Sequence, residues 1–352
     1  MSMNAPITLT GVRRLAIAAM IASACDGTRA SPDPTTPSVV VVPVPSASPD
    51  AQDVRLGAGP PKPWGAAWKV LDVLHGAEEM FDTLGALCAT TPGGVRCDGE
   101  ATLGPLASTH ITSPTKVWGF VFLCGVGRGG AFACSHAPSD RAQQGPPRLA
   151  DVASVTVHAA VHVDGTLSAT TNRDSVGYAD PRWRKVQAVT DAAFVASSWY
   201  ANYSCYLRRN GEAACVAHDV AATPTPLSGV TGGARIWQTD HAIWVLTTSG
   251  RLLGTKHRQT PVQEVARSVI DFAPNAAAPG ARPPEADALP SGRAEIPCAV
   301  LESGELVAGL ERNWTLTPVS GAGASRRVFG DTDWICAEDV GKVVRCIRSE
   351  ER

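Results

Sequence analysis

The cysteines are the residues with the clearest chemical potential in this 352-residue chain, because a thiolate can act as a nucleophile, bind a metal ion or form a disulfide. Ten are present, and none are spaced Cys-X-X-Cys, the spacing that zinc sites favour. Eight fall into close pairs that each bracket a glycine, namely Cys88 and Cys97, Cys124 and Cys134, Cys205 and Cys215, and Cys336 and Cys346. We therefore expect four local disulfides in an oxidising compartment, and no metal.

Cys25 lies in a different setting. It follows the basic pair Arg13-Arg14 and the apolar run 15–24, which is too short to span a bilayer and has the order of a secretory signal peptide. Residues 21–25 (IASAC) resemble the bacterial lipobox, which implies that Cys25 is acylated and becomes the mature N-terminus. The alternative is an ordinary signal peptide, cleaved nearby, with Cys25 an incidental thiol.

Other candidate chemistry is weak. Residues 125–130 (GVGRGG) match a phosphate-binding glycine pattern, but they lie between two paired cysteines, where a hairpin turn is expected rather than a helix. His158 and His162 occur in an alternating, strand-like segment without the glutamate of a zinc peptidase. Asp331 and Asp333 are interpreted as ordinary loop carboxylates. We predict no catalytic residue, no cofactor and no metal site.

One segment concentrates residues that are common at binding surfaces. Residues 197–206 (SSWYANYSCY) carry Trp199, Tyr200 and Tyr203 just before a paired cysteine. Aromatic side chains on loops are favoured at protein and carbohydrate interfaces, so these three are candidate partner contacts. Packing between neighbouring structural units is an equal alternative.

Composition excludes several classes of protein. Only 18% of the residues are charged, and 33 glycines and 27 prolines favour short strands and turns over long helices. The formal net charge of -2, without a run of Lys or Arg, gives no electrostatic footprint for nucleic acid.

Three segments follow from these patterns. Residues 1–24 are predicted to be a signal peptide of the lipoprotein type. Residues 25–63 are rich in Pro, Ser and Thr and cannot bury enough apolar surface to fold, so they are predicted to be a disordered tether. Residues 64–352 are predicted to form one domain, with a flexible Ala/Pro-rich insertion at about 274–290.

That domain contains seven repeats. Each repeat has an apolar stretch, a turn glycine and a second apolar stretch, which is typical of a β-hairpin. The turn glycines are Gly94, Gly130, Gly165, Gly211, Gly250, Gly304 and Gly341. Their spacing averages about 41 residues, which is typical of a β-propeller blade. A proline and a Val-rich stretch precede each hairpin, so a blade is predicted to contain a leading strand, an inner strand and the hairpin. The fold class predicted is all-β, a seven-bladed β-propeller.

Cys298 occupies the position of a first paired cysteine, six residues before Gly304. The position four residues after that glycine is Ala308, so a partner cysteine is missing. We expect Cys298 to be a buried free thiol.

The chain resembles the family of the regulator of chromosome condensation (RCC1) over residues 64–349. The family repeat has a proline, a Val-rich strand, and a hairpin with a Gly turn, and secreted bacterial members carry cysteines six before and four after the turn glycine. The Cys205 and Cys215 pair around Gly211 has this spacing. The family's Trp-Gly after the return strand is absent. The resemblance implies an RCC1-like propeller of the secreted bacterial lipoprotein type.

The function expected from these features is non-enzymatic. We predict a lipoprotein of the bacterial cell envelope, anchored to the membrane by lipid, whose propeller binds a protein or a glycan; a secreted form is the alternative location. A propeller hydrolase or lyase acting on an envelope or extracellular polymer is the alternative function. A narrower alternative is an inhibitor of a secreted enzyme, because relatives of this fold include an inhibitor of β-lactamases.

Overall fold

The computed structural model describes residues 68–83, 86–99, 114–118, 124–134, 149–156, 158–170, 183–198, 201–219, 221–239, 242–256, 262–277, 295–310, 314–331 and 334–348. The predicted signal peptide, Cys25 and the tether 25–63 lie outside these residues. The account below concerns the unit formed by residues 52–352, which contains all the described residues. No helix in the described part of the chain is long and apolar enough to cross a membrane.

The described residues form seven antiparallel sheets, numbered here in chain order. A short strand and a single 3-10 turn, β1 (Lys69–Val70) and Asp72–Leu74, precede the first sheet. The strands of the first three sheets are β2 (Glu79–Thr83), β3 (Ala86–Thr91) and β4 (Gly94–Asp98); β5 (Pro114–Trp118), β6 (Cys124–Gly127) and β7 (Phe132–Cys134); β8 (Val152–Val155), β9 (Ala159–His162), β10 (Leu167–Thr170) and β11 (Trp183–Val186).

The other four sheets each contain four strands. They are β12 (Ala192–Ala196), β13 (Tyr203–Arg208), β14 (Ala213–Ala217) and β15 (Thr225–Pro226); β16 (Gly233–Gln238), β17 (Ile243–Thr247), β18 (Leu252–Thr255) and β19 (Gln263–Ala266); β20 (Val269–Ala277), β21 (Glu295–Leu301), β22 (Leu306–Leu310) and β23 (Thr315–Pro318); β24 (Arg327–Asp331), β25 (Trp334–Glu338) and β26 (Val344–Arg348), which β1 completes.

Each predicted hairpin forms the second and third strands of one sheet, because its two apolar stretches are close in sequence and a residue with positive φ reverses the chain between them. Six of the predicted turn glycines have positive φ, from 74° at Gly130 to 112° at Gly94. In the seventh hairpin Gly341 lies in the turn, as predicted, and its neighbour Lys342 has the positive φ, 63°. Lys342 restores the cysteine spacing, since Cys336 lies six residues before it and Cys346 four after.

The predicted division of the chain into blades is wrong by one strand. The sequence pattern assigns the strand after each proline to the blade that follows it in the chain. In the structure, β11 pairs with β10 and β19 pairs with β18, so each of these strands completes the outer edge of the preceding sheet. The same offset explains β1, which pairs with β26 through Lys69 and Cys346 and gives the last sheet its fourth strand. The N-terminal and C-terminal strands thus share one sheet and close the ring.

The cores lie between sheets. Seven buried clusters occur in the described residues, and each joins two consecutive sheets; one of them packs Leu87 of β3 against Phe329 of β24, joining the seventh sheet to the first. Burial of both faces explains why the second strands are mostly apolar, as in β17, in which every residue is buried. Strand β20 extends to Ala277 and pairs with β21, so the first residues of the predicted insertion 274–290 belong to the sixth sheet.

Candidate functional site

The first strands of all seven sheets surround one cavity of about 530 Å³. These strands start at the same end of the ring, because the same backbone contact recurs from sheet to sheet: the first residue of one strand donates its N–H to the carbonyl of the preceding turn glycine. Val152 N and Gly130 O, 3.0 Å apart, and Gly233 N and Gly211 O, 2.8 Å apart, are two examples. The hairpin turns and the beginnings of the first strands therefore share one mouth of the cavity.

One residue from each sheet occupies an equivalent position at this mouth. Each pairs with the second-strand residue that lies four positions before the turn residue of positive φ. Arg235, for example, lies opposite Leu246, and Arg327 lies opposite Glu338. All of them line the cavity, and we call this set the mouth ring: Glu79, Lys116, Ser154, Phe194, Arg235, Asp271 and Arg327. Five of its seven side chains are ionisable.

Asp271 connects three consecutive sheets. Its Oδ1 atom accepts a hydrogen bond from Nη1 of Arg235 in the fifth sheet at 2.8 Å, and its Oδ2 atom accepts one from the backbone N–H of Val328 in the seventh at 2.9 Å. The residue itself is buried, at 5% exposure. Burial raises the pKa of Asp271 above its ordinary value, although the Val328 N–H and the Arg235 guanidinium oppose that shift.

A second charged group connects the seventh sheet to the first. Glu338, which is fully buried, receives hydrogen bonds from Arg326 and from Arg327. Arg327 also donates to the carbonyl oxygens of Ala77, at 2.7 Å, and Glu78, at 2.5 Å, beside the first sheet. Its guanidinium lies 4.6 Å from the ring centroid of Phe329. Arg327 is thus held on every side by the protein, and it stabilises the closure of the ring.

The other half of the mouth ring is open. Phe194 is 46% exposed although it stands in the wall of a cavity. Lys116 and Glu79 lie on neighbouring sheets, and neither side chain forms an ion pair or a hydrogen bond with the residues that the structure describes. The mouth ring therefore has a half in which charges are neutralised within the wall and a half with charged and aromatic groups available to a ligand.

The structure contains three of the predicted disulfides among the side chains that it describes: Cys88–Cys97, Cys205–Cys215 and Cys336–Cys346. Their Cα atoms are 3.9 to 4.0 Å apart, at directly opposed positions of a hairpin. The backbone positions of Cys124 and Cys134 are opposed in the same way, whereas their side chains lie outside the described part.

Cys298 is a free buried thiol, as expected, and lies opposite Ala308. Burial raises the pKa of its thiol far above the ordinary value, so the nucleophilic thiolate is strongly disfavoured. The equivalent pairs in the two sheets without cysteines at these positions are Ala159 with Ala169, and Trp244 with Gly254.

The glycine-rich segment 125–130 forms the end of β6 and the turn after it, as predicted, and Gly130 has a φ of 74°. His162 lies in β9, where its ring nitrogens contact the carbonyl of Ala150 at 3.1 Å and the hydroxyl of Ser168 at 2.8 Å. The ring centroid of His158 lies 5.4 Å from that of His218. No group of three or more potential metal ligands occurs among the described residues.

The structure places Tyr203 in a core. It is 7% exposed in β13 and belongs to the cluster that joins the fourth and fifth sheets, which agrees with the alternative of packing between neighbouring units. Trp199 and Tyr200 lie outside the described residues, as does Asp333. Strand β12 ends at Ala196, at the opposite end of the cavity from the mouth ring.

No family model matches the chain, and no curated protein matches it. Solved structures do match its fold. PorZ, a bacterial surface component of the type-IX secretion system of Porphyromonas gingivalis, is 12% identical, with a TM-score of 0.50; the match covers 81% of this chain, which spans 38% of the length of that one.

Two further matches have lower TM-scores. Prp20p of Saccharomyces cerevisiae, the yeast RCC1, is 11% identical, with a TM-score of 0.43 and coverage of 76% of this chain and 81% of that one. The β-propeller domain of Cps50 (Swd1) from Myceliophteria thermophila is 10% identical, with a TM-score of 0.49 and coverage of 80% and 98%. At these identities the likeness extends to the fold alone: the chain is an all-β propeller.

Proposed function

We propose that this protein is a non-enzymatic lipoprotein of the bacterial cell envelope whose propeller binds a protein or glycan partner. The observation that carries the proposal is the mouth ring, which places one residue from every sheet around a single cavity and leaves half of these residues available. Ligand sites are typically concave and commonly occupy the mouths of ring-shaped β-folds such as barrels.

The two buried carboxylates beside the mouth support binding rather than catalysis, and Glu79 is the one carboxylate of the mouth ring without a partner among the described residues. A hydrolase or lyase needs an acid and a base that can exchange protons with a substrate. Asp271 and Glu338 are instead held by arginine side chains and a backbone N–H group, and both are almost fully buried. Such carboxylates stabilise contacts between sheets.

The envelope location rests on sequence and on the disulfides together. Disulfides persist in oxidising compartments, and three hairpins contain one among the side chains that the structure describes. The resemblance of residues 21–25 to a lipobox and the Pro-rich segment after Cys25 fit a domain held at a distance from a membrane by a lipid anchor.

The location is tested with the full-length chain and a C-terminal affinity tag, expressed in a bacterial host. We expect the protein in the membrane fraction, with mass spectrometry of its N-terminal peptide showing acyl groups on Cys25. The control is Cys25→Ser, which we expect to abolish acylation. An unacylated Cys25 in the wild-type protein contradicts the anchor.

The binding role is tested by capture. The tagged protein, purified from membranes, is incubated with an envelope extract of its source organism, and a Lys116→Glu/Phe194→Ser variant is the matched control. A partner that binds the wild type and is lost with the variant supports the proposal. Turnover of envelope polysaccharide or peptide by the wild type would instead identify an enzyme.

A further inference from the structure

We propose that an arc of the mouth ring, from Lys116 to Arg235, binds a peptide through a carboxylate group that lies next to an apolar side chain. This inference rests on the proposed binding function and specifies its ligand. The four residues of this arc, Lys116, Ser154, Phe194 and Arg235, belong to four consecutive sheets, the second to the fifth.

The two ends of the arc carry cations with hydrogen-bond donors to spare. Lys116 is half-buried, and its ammonium group has no acceptor among the described residues. Arg235 has a side chain that is 57% exposed, and it contacts Asp271 through Nη1 alone. Its remaining N–H groups are therefore available within the described part of the wall. The arc contains an ammonium and a guanidinium group and no carboxylate, and Glu79 and Asp271 flank its two ends on the first and sixth sheets. Two cations in one arc favour an anion, and a guanidinium matches the two oxygens of a carboxylate.

The middle of the arc is apolar. The phenyl ring of Phe194 is 46% exposed between the two cations, and the indole of Trp237 lines the cavity nearby. An exposed phenyl ring is stabilised most by contact with an apolar group, because the contact removes apolar surface of both from water. A ligand that satisfies the whole arc therefore combines a carboxylate with an apolar group close to it.

A peptide fits this requirement better than an acidic sugar. A uronic acid carries several hydroxyl groups, which all need hydrogen-bond partners when they leave water. The hydroxyls of the wall offer few free partners: Ser154 accepts from the N–H of Val195 at 3.3 Å and keeps only its own O–H to donate, and the hydroxyl oxygens of Thr156 and Ser197 are 2.6 Å apart. A carboxylate beside an aromatic or aliphatic side chain requires fewer new partners.

The carboxylate has two sources in a peptide, the chain terminus and an acidic side chain, and four probes separate them. Isothermal titration calorimetry is performed on the full-length protein with acetyl-Ala-Ala-Phe as the free acid, acetyl-Ala-Ala-Phe-amide, acetyl-Ala-Asp-Phe-amide and digalacturonate. We expect binding of one or both carboxylate-bearing peptides and at least tenfold weaker binding of the amide. Binding of the free acid alone identifies the chain terminus, and binding of both identifies any peptide carboxylate.

Variants locate the site. Lys116→Gln is expected to weaken binding of the carboxylate peptides about five- to tenfold, and Phe194→Ser by a similar factor, because each removes one of the two features that the ligand uses. The matched control is Lys185→Gln, which makes the same change of charge on the exposed outer strand β11 and is expected to leave the affinity unchanged. Circular dichroism spectra of all variants establish that they fold.

The inference is wrong if the amide binds as tightly as the acid, if digalacturonate alone binds, if no probe binds, or if folded Lys116→Gln and Phe194→Ser keep the wild-type affinity. These outcomes are distinct from failure of the proposed function. A protein that captures an envelope partner but ignores the peptides retains its binding role and loses only this ligand.

Discussion

Nη1 of Arg235 lies 2.8 Å from Oδ1 of Asp271, across the boundary between the fifth and sixth sheets. Through its other oxygen, Asp271 accepts the N–H of Val328 in the seventh sheet. Because one buried carboxylate contacts two neighbouring sheets, its removal affects the packing of three sheets at once, although the three residues are far apart in sequence.

Replacement of Asp271 is therefore expected to be costly. Asp271→Ala leaves the Val328 N–H and part of the Arg235 guanidinium without an acceptor, and we expect a loss of roughly 3 kcal/mol in the free energy of unfolding. Urea denaturation measures it. The control is Arg128→Ala, which breaks an exposed pair with Glu78 and should cost less than about 1 kcal/mol. Equal effects of the two variants contradict a structural role for Asp271.

The pH dependence of stability is expected to differ in sign between two aspartates. Burial raises the pKa of Asp271 in the folded state. Its titration therefore contributes most to the free energy of unfolding below its ordinary pKa of 3.8, and this contribution is lost as the pH rises through the raised pKa. Hydrogen bonds from the N–H of Val343 and from Arg345 lower the pKa of Asp339, so its contribution is present above 3.8 and is lost as the pH falls through the lowered pKa.

Unfolding curves of Asp271→Asn and Asp339→Asn between pH 3 and 8 test these signs. As the pH falls, we expect the wild type to become more stable relative to Asp271→Asn and less stable relative to Asp339→Asn. Parallel slopes for the two variants would show that burial does not govern the ionisation of Asp271.

The free thiol of Cys298 offers a test of the hairpin geometry. Ala308 is directly opposite Cys298 and occupies the position that a cysteine holds in the disulfide-bonded hairpins. We expect Ala308→Cys to form a further disulfide and to raise the free energy of unfolding by about 2 kcal/mol, an increase that a reductant removes. Thiol titration and mass spectrometry report the bond. Val307→Cys, one residue away and opposite Ala299, should leave both thiols free.

Replacement of Gly254 by a residue with a side chain is expected to destabilise the fold, because the position packs closely against a buried tryptophan. It lies opposite Trp244, and a Cβ atom at this position would stand 2.9 Å from Cζ3 of that fully buried indole. We expect Gly254→Ala to cost roughly 1 to 3 kcal/mol through overpacking. The matched control is Gly129→Ala, whose new methyl group meets no atom within 4 Å. A thermal melt in which the two variants are equally stable contradicts this account.

The local elements of this protein are predictable from its sequence. A hairpin is specified by residues within about a dozen positions of one another, so the turn glycines, the opposed cysteines and the missing partner of Cys298 are all recognisable in the order of the residues. Even there, the sequence does not reveal Lys342 as a turn residue, because the glycine next to it is the better candidate for positive φ. The location in the envelope, the lipid anchor and the partner remain predictions.

The mouth ring was decided by the tertiary structure. Its members are set by the register between the first and second strands, and the connections between these strands differ in length: Ser154 lies 11 residues before Gly165, whereas Asp271 lies 33 before Gly304. No constant spacing marks them in the sequence. They meet because closing the ring brings the start of every first strand to one mouth, where a lysine, a phenylalanine and an arginine from three different repeats line the same cavity.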